Sequence, residues 1–512
     1  MQTLDTSIQI IKTAKSEQIN QINVEIIEKF LHLLAIYNND VIQHLPIELL
    51  HEYDFAVTLN KILTEAITSP DKLIKTQAAF FQECTHIYQQ IINNTTEDNS
   101  ILVLNGFNDF LEDLIRNKGH LSASITNKAN FKVGENLAIT PGKIIYQNEL
   151  MQLIQYLPTT STVYEKPILF IPPWINKYYI LDLTPEKSLV RWLISQGFTV
   201  FMISWRNPDA RMAEKDWGNY LLEGPMAALD AITKITNCSS VHLVGYCIGG
   251  TLLACALAYM QHNNDHRAAS GSYFTTLLDF ASPGEFGAFI DKQQLTLLKH
   301  IIDSKGYLDG KLLDIAFNML RPNALVWPCF IKNYLLKQKP KAFDLLFWNA
   351  DPTNLPKKMA NFYLQNMYLK NMLKTPNEIN INNTPINLNK ISIPTFFISA
   401  ERDHIAPWQS TYAGVKLHNN SKVTFVLSEP GHVAGIINPP KHNKYSFKTN
   451  KHTYDTAEQW LQTAAKHEGS WWPFWKQWLV THSKLRIKPE KHAIPETAII
   501  ENAPGTYVLK RI

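Results

Sequence analysis

The sequence predicts an α/β fold: a mainly parallel sheet covered by helices on both faces, preceded by a mainly helical domain and interrupted by a large helical cap insertion. Three observations carry this expectation. From about residue 141, short β-rich runs alternate with helical stretches. The runs are apolar along nearly their whole length, as strands buried on both faces must be. One interval, about 283–390, is helix-rich and aromatic, with Trp327 and Trp348 in it. It reads as a cap over the carboxyl edge of the sheet, where such folds bind ligands.

The elements follow in order. Residues 1–130 read as a helical N-terminal domain, because 24–36 and 72–92 place apolar residues three and four apart. Residues 93–99 form a polar break. This region suits a partner- or surface-binding module as well as a domain that simply packs on the core. Residues 131–512 read as the catalytic domain. Strands are expected at 168–171, 199–204, 241–246, 273–280, 394–399 and 423–427, and helices at 186–195, 220–235, 249–260 and 408–417. Near the C-terminus, GSWWPFWKQWL puts Trp471, Trp475 and Trp478 on one helical face. That pattern favours a docked amphipathic helix over a polymer-binding surface.

Composition narrows the function. Of 512 residues 45% are hydrophobic, and a formal charge of +4 is spread without a basic stripe. Nucleic acid is therefore not the expected partner. The five cysteines, Cys84, Cys238, Cys247, Cys255 and Cys329, contain no CxxC pair. Neither a disulfide framework nor a zinc ribbon is indicated, and a reducing setting is expected. No leader is expected from the polar N-terminus, and no apolar run reaches the roughly 18 residues of a membrane span.

The sharpest motif is GYCIGG, residues 245–250, between the apolar run VHLV and the helical stretch TLLACALAYM. Strand, tight turn and helix form the context of a nucleophile elbow, with Gly245 and Gly249 flanking Cys247. The bland alternative is a buried cysteine in a glycine-rich turn. Partners should follow in the order acid, then histidine, on loops after later strands. Asp403 lies just beyond the run PTFFIS, and His432 just beyond VTFVL. Asp279 competes for the acid and His404 for the base. An oxyanion hole would use the backbone N–H of Ile248 and a second N–H, from Trp174 or Ile175, in the loop after ILFIPPWIN. Trp174 and Ile175 fit the second donor equally.

A cysteine nucleophile suits acyl transfer from a thioester. Attack on an acyl-CoA exchanges one thioester for another, and a hydroxyl then takes the acyl group downhill. From about Phe131 to its end, the chain resembles class I polyhydroxyalkanoate synthases of the α/β-hydrolase superfamily. The resemblance rests on the runs GENLAITPGKIIYQNELMQLIQYLPTT, FIPPWINKYYILDL, SWRNPDA, LLEGPMAALDAI, GYCIGGTLLA, YFTTLLDF, AFDLLFWNADPTNLP, ERDHIAPW, GHVAGIINPPKHNKY and APGTYVLKR. It implies Cys247, Asp403 and His432 as the catalytic residues. It also implies (R)-3-hydroxyacyl-CoA substrates, 3-hydroxybutyryl above all, with release of CoA, no metal or separate cofactor, and growth of a polyester on cytoplasmic granules by a homodimer, with granule-associated proteins as further partners. The chain departs from the family in having no tryptophan before Trp174, and Ser282 where an Asp is usual. A hydrolase on the same fold and a granule-coating protein with an idle site are the competing readings.

Overall fold

The computed structural model describes Lys29, His86 and residues 97–116, 130–320, 331–335 and 343–512. The spans expected to be helical at 24–36 and 72–92 lie, apart from Lys29 and His86, outside the described residues, as do Trp327, Cys84 and Cys329. The chain divides into two compact units. One joins Met1–Asn130 with Asp314–Ala350, and the other joins Phe131–Leu313 with Asp351–Ile512. The insertion at 283–390 is thus shared between the two. No helix among the described residues is long and apolar enough to cross a membrane.

In the first unit, helix α1 (Glu97–Arg116) buries Leu104, Phe107, Phe110 and Leu111 on one stripe. The Phe110 ring meets Tyr334 edge-on at 5.2 Å, and the Tyr334 hydroxyl donates to Asp113 at 2.8 Å. The expected polar break at 93–99 is corrected in part, since residues 97–99 are helical.

The second unit is built on one eleven-stranded sheet. Its strands are β1 (Gly142–Gln147), β2 (Met151–Tyr156), β3 (Ile168–Ile171), β4 (Val200–Trp205), β5 (Val241–Tyr246), β6 (Ala268–Phe274), β7 (Thr395–Ala400), β8 (Val423–Ser428), β9 (Ser446–Thr449), β10 (Ala465–Glu468) and β11 (Glu501–Asn502). Their spatial order is β10-β9-β8-β7-β6-β5-β3-β4-β2-β1-β11. The central six, from β4 to β8, are parallel, and the outer strands are antiparallel. Every residue of β3 and β5 is buried, which explains their unbroken apolar character. The one charged-type side chain in β5, His242, bonds Ser270 at 2.7 Å, and burial pushes its imidazole down to about 3, so it sits neutral in the core. This is the α/β-hydrolase class that the motifs indicate.

Two regions depart from the expected elements. Strands β1 and β2 were not anticipated, because the spacing of Ile144, Ile145, Leu150, Met151, Leu153 and Ile154 also fits a helix. Asn148 decides against it: its side-chain oxygen accepts the N–H groups of Leu150 at 2.9 Å and Met151 at 2.8 Å, closing a hairpin turn. The strand expected at 273–280 is displaced to Ala268–Phe274. At Thr275 the backbone turns to φ 41°, and Leu277, Leu278 and Phe280 are buried from a loop.

The chain reverses at β3, which pairs with β4 on one side and β5 on the other. That switch point opens a crevice at the carboxyl ends of β3 and β5. Lys177, six residues past β3, forms a buried ion pair with Asp351 at 2.9 Å, and Tyr179 donates to the same carboxylate at 3.0 Å. Removing the cation leaves a charge buried without its main counter-ion. Lys177→Met should therefore lower stability by about 3–5 kcal/mol, read as a shift of the urea midpoint.

Candidate active site

The crevice is floored by the turn after β5. Cys247 takes φ 55° and ψ −124°, outside the comfortable regions for a side-chain-bearing residue, and helix α2 (Ile248–His262) begins directly after it. Such backbone strain costs on the order of 1–3 kcal/mol and persists only where the surroundings over-determine it. Here they do. The Cys247 N–H donates to Phe274 in β6 at 2.9 Å. A Cβ at Gly249 would stand 2.1 Å from the Ile171 carbonyl oxygen, and one at Gly245 would stand 2.4 Å from the Cα of Gly250. Both glycines are therefore required by close approach of backbone to backbone.

Asp403 lies three residues past β7 and is buried. Its Oδ1 accepts the backbone N–H groups of Ile405 at 2.9 Å and Ala406 at 2.8 Å, and its Oδ2 accepts from His432 Nδ1 at 2.7 Å. Cys247 lies close enough to the imidazole to act on it electrostatically. Burial alone would push the His432 imidazole down. The Asp403 carboxylate, and after it Cys247, outweigh burial and raise it to about 10. The Tyr246 ring stacks on the imidazole at 5.7 Å.

The competing residues take other roles. Asp279 accepts from Asn371 Nδ2 at 2.6 Å and from the Ala281 N–H at 2.9 Å, so it ties two loops together. The backbone oxygen of His404 receives the Glu285 N–H at 3.0 Å, while the preceding Asp403 holds His432.

The loop with His432 is pinned by the aromatic segment near the C-terminus. Helix α3 (Trp472–Thr481) follows Trp471, and the indole N–H groups of Trp471 and Trp472 donate to the carbonyls of Gly435 and Ile436, each at 2.8 Å. Trp475 donates to Ser272 at 3.0 Å and packs edge-on against Phe274. The tryptophans thus dock the helix and fix the histidine loop.

Tyr363 and Tyr368 escaped the sequence reading. Their rings meet edge-on at 5.2 Å, and both lie close enough to Cys247 to interact electrostatically with it. Burial is the main cause that pushes both hydroxyls up, so both stay neutral. They occupy a π-helical turn, Tyr363–Leu369, where residues five apart share a face. α-Helical periodicity would separate them, so no pattern in the sequence groups them.

The fold and the cysteine elbow define an enzyme-like member of the α/β-hydrolase superfamily. Residues 166–439 match the alpha/beta hydrolase fold family, and residues 76–193 match the poly-beta-hydroxybutyrate polymerase (PhaC) N-terminus. The poly(3-hydroxyalkanoate) polymerase subunit PhaC of Rhizobium etli is 44% identical over 82% of this chain and 66% of its own length. The subunit of the same name from Cupriavidus necator is 42% identical over 79% of this chain and 69% of its own. The poly(3-hydroxyalkanoate) polymerase of Methylorubrum extorquens is 42% identical over 82% and 69%. The chain thus spans about two thirds of the length of these relatives. The chain belongs to the poly(3-hydroxyalkanoate) polymerase family.

Two outcomes test this geometry. Trp471→Phe keeps the ring but leaves the buried Gly435 carbonyl unpaired, and should cost about 1–3 kcal/mol in chemical denaturation. The raised pKa of His432 stabilises the fold fully below about pH 6.5, and that contribution is lost as pH rises through about 10. The stability advantage of the native chain over His432→Gln should accordingly be largest near pH 6 and shrink steadily above about pH 7.

Proposed function

We propose that this chain polymerises (R)-3-hydroxyacyl groups, 3-hydroxybutyryl first among them, from their CoA thioesters. The observation that carries the reading is Cys247 on a strained turn beside His432, which is hydrogen-bonded to a buried Asp403, in a chain of the polymerase family.

The chemistry follows from the groups present. His432 accepts the thiol proton, and the resulting imidazolium is held by Asp403. The Cys247 sulfur attacks the thioester carbonyl. A new C–S bond forms to the enzyme, the bond to CoA breaks, and CoA leaves with a proton from His432. The 3-hydroxyl of a hydroxyacyl group then attacks the enzyme thioester while His432 takes its proton. The ester forms and the cysteine sulfur is released. The first exchange is nearly balanced in energy, because one thioester replaces another, whereas the second runs downhill to an oxoester.

The three hydrogen bonds accepted by Asp403 favour a role in orienting His432 over direct activation of the incoming hydroxyl. The backbone N–H of Ile248, at the start of a helix, and that of Ile175 would hold the oxyanion of both tetrahedral intermediates. The reaction needs no metal or separate cofactor. The resemblance to class I synthases supports a homodimer acting in the cytoplasm at the surface of polyester granules.

The test uses purified protein and (R)-3-hydroxybutyryl-CoA, following thiol release and insoluble polyester. Both should occur with the native chain and vanish in Cys247→Ala. Asp403→Asn should keep the fold and lower turnover by roughly 10²–10⁴-fold, the range of positioned acid–base catalysis. Thiol release that yields only free hydroxybutyrate would replace polymerisation by thioester hydrolysis.

A further inference from the structure

The loop after β3, residues 172–176, is held through its carbonyl groups. The Trp205 indole donates to the Pro172 oxygen at 2.9 Å. Thr353 takes the next two anchors: its hydroxyl donates to the Trp174 oxygen, and its backbone N–H donates to the Ile175 oxygen at 2.9 Å. A bridge between Asn176 and Pro352 and the Lys177–Asp351 ion pair continue the seam. Thr353 is buried, at 3% exposure, so its hydroxyl has no access to solvent as an alternative partner.

In a planar trans peptide, a carbonyl and the N–H that follows it point in opposite directions. The hydroxyl that holds the Trp174 carbonyl therefore also sets the direction of the Ile175 N–H. A clamp on a carbonyl becomes an aim for the donor on its other side. Ile175 itself is half-buried, and it lies on the loop that borders the crevice beside the elbow.

We propose that Thr353 is a positioning residue: its hydroxyl locks the peptide between Trp174 and Ile175 so that the Ile175 N–H faces the oxyanion formed at Cys247. The inference rests on Cys247 as the nucleophile in the reaction above. It makes the aim of a backbone donor on one wall of the crevice depend on a side chain 179 residues from Trp174 in the chain. Substrate binding in the ground state does not depend on this donor, so the effect belongs to kcat.

The test compares Thr353→Val and Thr353→Ala, which lack the hydroxyl, with Thr353→Ser, which keeps it, all in the full-length chain. Thiol release from (R)-3-hydroxybutyryl-CoA gives kcat and KM. Alkylation by iodoacetamide, taken as the difference from Cys247→Ala, reports the nucleophile and its histidine without forming an oxyanion. In the hydroxyl-less variants kcat should fall on the order of 10²-fold, with KM and the alkylation rate within about 3-fold of the native values. Serine should restore kcat to within about 5-fold. Turnover by both hydroxyl-less variants within about 3-fold of native overturns the assignment, as does a parallel loss of kcat and alkylation, or a failure of serine to restore. Thiol release by Cys247→Ala overturns the nucleophile and this inference together. An inactive Cys247→Ala beside a fully active Thr353→Val removes only the inference.

Discussion

Residue 247 holds a backbone conformation that nothing local favours, and the surrounding structure is arranged so that it has no alternative. The turn is caught between β5, buried along its length, and a helix whose first eleven residues are all buried. The carbonyl groups of Ile171 and Pro172 occupy the space where a side chain at position 249 would lie. A strain of about 1–3 kcal/mol is small against the apolar burial on either side, and it lifts the sulfur clear of the sheet. Every other feature of the site is measured from that raised atom.

Three loops converge on it, each fixed by a different part of the chain. The loop with Asp403 is fixed by its own carboxylate, which accepts two backbone N–H groups just downstream. Indoles about 36 residues further on hold the His432 loop. The loop after β3 is held from β4 and from the segment around Thr353. These anchors are buried or part-buried hydrogen bonds, strong in a medium of low dielectric and costly to leave unmade. The three loops are thereby fixed by the protein's own bonds, as the proposed chemistry requires.

Much of this was legible in the residues. The order Cys247, Asp403, His432 follows from the strands that precede each loop, because parallel strands all release their loops at one edge. The motif GYCIGG announces a turn that only small flanking residues permit. The boundaries of the fully buried strands were readable for the same reason, since a strand covered on both faces is apolar throughout. Strands β1 and β2 were not, because their apolar spacing suits two periodicities and the turn at Asn148 depends on a side-chain hydrogen bond. The end of β6 was hidden by apolar residues that are buried from a loop.

The sequence alone determined the fold class, the elbow and the family to which the chain belongs, because these depend on residue types at short spacing and on long matching runs. Tertiary structure decided which groups surround the sulfur. Tyr363 and Tyr368 come together through a π-helical turn, Asp279 is bonded by Asn371, and Thr353 reaches the Trp174 carbonyl. These contacts join residues whose separations carry no period, so they exist only once the sheet has brought the loops to one edge.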